Sequence, residues 1–104
     1  MAVLREFADV LQDFHEKKKN GALFVSVAVT SENLIRFYFR DGEIYHLCYG
    51  TTSDRECLDI LDCYDLDKAV YFDGMKSAIA SSGLPRTRDL ITQIRRKGKN
   101  VVIA

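Results

Sequence analysis

The stretch LIRFYFRDGEIYHLCY, Leu34 to Tyr49, decides the fold. Ile35, Phe37 and Phe39 alternate with Arg36, Tyr38 and Arg40. Because successive side chains of a strand point to opposite faces, this run predicts a strand with one buried side and one wet or partner-facing side. Asp41 and Gly42 supply a two-residue turn of type I′, which needs positive φ at both central positions. A return strand from Glu43 to about Tyr49 carries Tyr45 and Tyr49 in phase with each other. The outward side of this hairpin, with Arg36, Tyr38, Arg40, Tyr45 and Tyr49, has the residue types enriched at interface hot spots and is the candidate interface.

Working outward, Leu23 to Val29 is almost continuously apolar, the pattern of a strand covered on both faces. Before it, Val3, Leu4, Phe7, Val10, Leu11 and Phe14 recur at helical spacing and predict an amphipathic helix from residue 2 to about 19. Asn20 and Gly21 stop it, with Gly21 as the left-handed residue and Lys17, Lys18 and Lys19 complementing the helix dipole. After the hairpin, Gly50 breaks the strand, and Ser53 with Glu56 has capping-box spacing for a second helix that buries Cys57, Leu58, Ile60, Leu61 and Tyr64. Lys68 to Asp73 reads as a fourth strand. Residues 75–85 form a small-residue loop or a short helical turn, a last helix runs from about Arg86 to Lys97, and Val101 to Ile103 form a short strand or the start of a continuation. The order α-β-β-β-α-β-α predicts a single α+β domain over residues 1–104, with three helices and a largely antiparallel sheet of about four strands.

At 104 residues, 47% hydrophobic and 29% charged, the chain has the composition of one self-folding globular domain. Fifteen basic residues balance fifteen acidic ones, so there is no overall positive field of a nucleic-acid binder. The charges are segregated: residues 41–74 hold nine acids against Arg55 and Lys68, while Lys17 to Lys19 and Arg95, Arg96, Lys97 and Lys99 are basic runs. Those runs read as solvated helix ends, or as a weak nucleic-acid patch if the ends are adjacent.

No constellation of catalytic or metal-binding residues emerges. His15 and His46 are far apart in sequence, and the glycines never reach phosphate-loop spacing. His46 and Cys48 share a strand side but lie about 6.6–6.8 Å apart along it, too far for a direct thiol–imidazole bond. Cys48, Cys57 and Cys63 are odd in number and lack CxxC spacing, so no disulfide framework is implied. With Glu6 and Asp9 interrupting the first residues and no run of 18 apolar residues, neither a secretion signal nor membrane insertion is expected, and the location expected is cytoplasmic.

Gly21-Ala22-Leu23, the strand after it, and Ile35 to His46 with its Asp41-Gly42-Glu43-Ile44 turn resemble the recurring pattern of the PatA N-terminal (PATAN) domain family of bacterial signalling proteins. Gly50, the Glu56 to Leu61 helix start, Val70 with Phe72, and the Thr87 to Ile94 helix extend the similarity over nearly the whole chain. The chain departs from the pattern where Ser53 and Asp54 replace a glycine, and where the turn Asp65-Leu66-Asp67 has none. The resemblance implies a module fused to, or working with, response-regulator receivers, with no catalytic residues and no cofactor. It makes Gly21, Asp41, Gly42, Ile44 and Gly50 fold residues.

The function expected is therefore non-catalytic protein–protein interaction in bacterial two-component signalling, as an adaptor whose partner is a signalling protein or a second copy in a homodimer. A thiol-based redox or small-ligand sensor at Cys48 is the alternative. Weak nucleic-acid binding through the basic helix ends is the third.

Overall fold

Asp41 and Gly42 turn the chain with φ of 50° and 81°, both positive, as the two-residue hairpin requires. Strands β3 (Leu34–Arg40) and β4 (Glu43–Tyr49) pair antiparallel across that turn. The computed structural model describes residues 3–28, 34–49, 52–53, 56–80 and 84–103. A side chain at Gly42 would run into the His15 carbonyl at the end of the first helix, so glycine is needed there for space as well as conformation.

The hairpin lies towards one edge of a single sheet. The remaining strands are β1 (Val3–Glu6), β2 (Gly21–Val27), the two-residue β5 (Thr52–Ser53), β6 (Leu66–Asp73) and β7 (Asn100–Ile103). Their order is β1-β7-β6-β2-β3-β4-β5, and every neighbouring pair is antiparallel except β6 with β7. Helices α1 (Phe7–Glu16), α2 (Glu56–Cys63) and α3 (Thr87–Lys97) complete an α+β domain.

The expectation of four strands with a helix first is thus corrected to six full strands and a two-residue edge. Leaving that edge aside, the order is β-α-β-β-β-α-β-α-β. The extra strands come from the two ends of the chain. Val3 and Leu4 suit a helix face or a strand equally well, and Val102 and Ile103 decide between them by pairing with Leu4 and Val3. The helix starts only at Phe7, whose N–H donates to the Lys99 carbonyl at 2.8 Å. Gly21 is not the helix terminator either. Lys18 takes the left-handed conformation with φ 53°, and Gly21 opens β2, where a Cβ would lie 2.5 Å from the Phe72 carbonyl oxygen. The second helix is described from Glu56 and Ser53 lies in β5; the expected capping box between them falls partly outside the described residues. Gly50 and Asp54 fall outside the described residues.

All three helices lie on one side of the sheet. Phe7, Leu11, Cys57, Leu61, Leu90 and Ile94 bury against Leu23, Val25, Ile35, Phe37, Phe39 and Leu47 in one core. Phe7 meets Phe37 edge-on at 5.3 Å between centroids, a favoured aromatic geometry. Helix α3 is tied to the hairpin by the buried Thr87 hydroxyl, which accepts the N–H of Ile44 at 2.9 Å.

Candidate interaction surface

The opposite side of the sheet belongs to the alternate residues of the same strands. Ala22 pairs with Phe72 on one neighbour and Tyr38 on the other, and Tyr38 pairs with His46. Neither Ala22 nor Tyr38 belongs to the helix-covered core cluster, although both are buried. Large rings do that shielding. Phe72 lies 4.9 Å from Phe24, Phe24 6.4 Å from Tyr38, and Tyr38 6.3 Å from Tyr45, all between ring centroids. A row of four aromatic rings therefore crosses β6, β2, β3 and β4, with Phe72 and Val70 still 41% and 42% exposed at one end.

Cations border this row. The Arg36 guanidinium lies 5.1 Å over the Phe24 ring and the Arg40 guanidinium 4.3 Å over Tyr45, within cation–π range. Lys68, exposed, stands two residues from Val70 on β6. None of the three is paired with a carboxylate among the described residues.

Four of the five residues expected at the interface are brought together: Arg36, Tyr38, Arg40 and Tyr45. Tyr49 is not. The β3–β4 register slips between Tyr38 and Phe39, so that Tyr38 faces His46 while Phe39 faces Ile44, and Tyr45 is the extra residue. A bulge of this kind reverses the side-chain phase along a strand. Tyr45 stays beside Tyr38, whereas Tyr49 pairs with Ile35 and packs on the helix-covered core.

Phe24, Val70 and Phe72 were not expected at the surface. Phe24 lies in a run that reads as doubly covered, yet Phe24 and Ser26 are half-buried and face away from the helices. On β6 both phases are apolar, and the register places Ala69 and Tyr71 against the core and Val70 and Phe72 outward. The available signal was the pair of phenylalanines, Phe24 and Phe72, on strands whose opposite phase already fills the core.

The other candidate residues gather no such site. Cys48 is half-buried opposite Arg36, and burial pushes its thiol above the ordinary value, the nearby guanidinium offsetting this in part. A raised thiol pKa means less thiolate, the reverse of what a redox sensor needs. Among the described residues no three His, Cys, Asp or Glu side chains converge on a metal position.

The basic runs do not merge. Arg95, near the end of α3, binds Asp9 in the first turn of α1 at 2.8 Å and Glu6, the last residue of β1 just before it, at 3.5 Å. The two helices are therefore antiparallel, which puts Lys17 to Lys19 about 15 Å away at the far end of α1. Lys97 pairs with Asp62, and Lys99 with Asp65. Three of the four cations of the second run are already matched by acids of the chain.

Compared with models of protein families, with curated proteins and with solved structures, the chain finds no match in any of the three. Among the described residues no helix is long and apolar enough to cross a membrane.

Proposed function

We propose that this chain is a non-catalytic protein–protein interaction module of bacterial signal transduction, resembling the PATAN family, and that it docks its partner on the helix-free face of the sheet. The observation that carries this reading is the continuous row Phe72, Phe24, Tyr38 and Tyr45 with Arg36 and Arg40 lying over its rings. Partly exposed aromatic rings supply contact area, and flanking arginines supply directional hydrogen bonds, the combination found at hot spots. The partner it suits presents apolar residues ringed by carboxylates. A symmetric homodimer through this face would bring Arg36, Arg40 and Lys68 towards their own copies, and like charges across an interface oppose pairing.

A photo-crosslinking side chain at position 72, in the protein expressed in its own cell, should give a discrete adduct with a partner whose contact surface is acidic. Adding Arg36→Glu should abolish the adduct while circular dichroism shows an unchanged fold, since Arg36 is exposed. Adducts indifferent to Arg36→Glu, or adducts formed only from the α2 surface bearing Glu56, Asp59 and Asp62, would place the interface elsewhere. Steady turnover of a small substrate, lost on changing one polar residue, would overturn the non-catalytic reading.

A second reading keeps the same surface but gives it single-stranded nucleic acid, because a row of rings bordered by cations also suits bases and phosphates. The acidic hairpin tip, Asp41 and Glu43, weighs against phosphate there. Binding of a uridine oligonucleotide with a steep salt slope would favour this second reading over the first.

A further inference from the structure

A cavity of about 270 Å³ opens where the ends of β2, β3 and β4 meet the segment after β6, lined among others by Asn20, Arg40, Tyr45, Gly74, Lys76 and Ser77. Four acceptor atoms of this wall are already engaged within the protein. The Asn20 carbonyl accepts from the Gly74 N–H at 2.9 Å and from the Tyr71 hydroxyl at 2.8 Å, and its side-chain oxygen accepts from the Asp41 N–H at 3.0 Å. The Tyr45 hydroxyl oxygen accepts from the Ser77 N–H at 2.9 Å, and the Ser77 hydroxyl oxygen accepts from the Ile79 N–H at 3.1 Å.

The donors are left over. Each of those two hydroxyls keeps its proton for an outside acceptor. Among the described residues Arg40 makes no hydrogen bond or ion pair and lies against the Tyr45 ring, and Lys76 likewise has no partner among them. Two cations and two hydroxyl donors thus line a cavity whose walls are mutually hydrogen-bonded in advance, and the nearby carboxylates, Asp41 and Glu43 at the hairpin tip and Asp73 beside Gly74, are not among its lining residues. An arrangement of this kind matches a ligand with several acceptor oxygens and negative charge.

From this we infer that the cavity is a binding site for a small polyoxygen anion, a phosphate or carboxylate compound. Its volume is just below the range of typical ligand pockets, which suits a small ion or the charged end of a larger molecule. The cavity shares Arg40 and Tyr45 with the edge of the docking surface, but its test reads binding of free anions to the chain alone and so fails or succeeds independently of docking.

Titration of the ¹⁵N-labelled protein with inorganic phosphate, and separately with succinate, should give saturable amide shifts at Gly74, Lys76 and Ser77. Saturation by either anion supports the site, and the difference between the two curves tells phosphate from carboxylate chemistry. Lys76→Gln, on an exposed segment, should weaken binding about threefold to tenfold. Arg96→Gln, an exposed cation on α3 outside the cavity, should leave it unchanged. Shifts that grow linearly with either anion over all basic residues, or a curve unmoved by Lys76→Gln, would overturn the inference.

Discussion

The two faces of one sheet are built from neighbouring residues of the same strands, yet they obey different constraints. Leu23, Val25, Ile35 and Phe37 are at most 1% exposed beneath three helices, while Phe24, Arg36, Val70 and Phe72, on the opposite phase, have no helix above them. Residue type does not separate the faces: Phe37 is fully buried and Phe72 is 41% exposed. What separates them is the second layer. Amphipathic helices cover one face, and the other shields itself only where aromatic side chains lean on one another across strands. The apolar surface kept on the uncovered face is the feature on which the proposed docking rests.

The largest test of that contrast is Phe37→Ala. It removes a fully enclosed ring that touches Phe7, and should cost about 3–5 kcal/mol in urea denaturation. A loss near 1 kcal/mol would mean that the covered face is not the packed core.

Also on the covered face, Tyr71 packs on Phe14, and its single hydroxyl proton is shared between two acceptors within reach, the Asn20 carbonyl and the Asp73 carboxylate. Burial, then the Asp73 hydrogen bond and charge, push its pKa up to about 12 from 10.0. The folded protein thus holds a proton that the unfolded chain releases. The corresponding stability is complete below about pH 10 and is lost as pH rises towards 12. Urea midpoints from pH 9 to 12 should fall less steeply in Tyr71→Phe than in the unaltered protein. Parallel curves would show Tyr71 titrating as an exposed phenol.

Why the helix-covered face was legible and the other less so follows from how each is specified. The hairpin could be read because the Asp41-Gly42 turn and the Ile35, Phe37, Phe39 alternation are local, and α3 because its apolar spacing ends on Gly98 in the left-handed conformation. β1 could not be read, since Val3 and Leu4 become a strand only by pairing with residues about a hundred positions away. The place of Tyr49 was lost for a similar reason: the bulge at Tyr45 is a property of the β3–β4 register, and the β4 sequence alone shows unbroken alternation. On β6 the two apolar phases gave no sign of which would face the helices. Long-range pairing therefore fixes which residues make up the bare face, and spacing in one strand cannot announce it.

On the bare face, Phe72→Ala should cost less than about 1 kcal/mol, because much of the ring is already in water and no helix closes over the space it leaves. The comparison with Phe37→Ala is the informative quantity. Equal losses would show that something covers this face in solution, and a second copy would then reveal itself by a concentration-dependent denaturation midpoint.

The smallest effect expected concerns the cysteines, one on each face and one beyond them. Cys57 is buried in the core, Cys48 is half-buried on the bare face, and Cys63 is exposed at the end of α2. Iodoacetamide attacks only thiolate, so rate depends on access and on thiol ionisation. Cys63 should react first and Cys57 only through opening of the core. Cys48 should lie between them, held back by the burial that raises its pKa. Its rate should still be climbing at a pH where a free thiol has reached its plateau. Peptide mapping of the alkylated protein from pH 7 to 10 gives all three rates in one experiment. Should Cys48 react fastest and level off below pH 8, its thiolate would be stabilised after all. The sensor reading would then displace docking as the role of the strand that carries Arg36's neighbour.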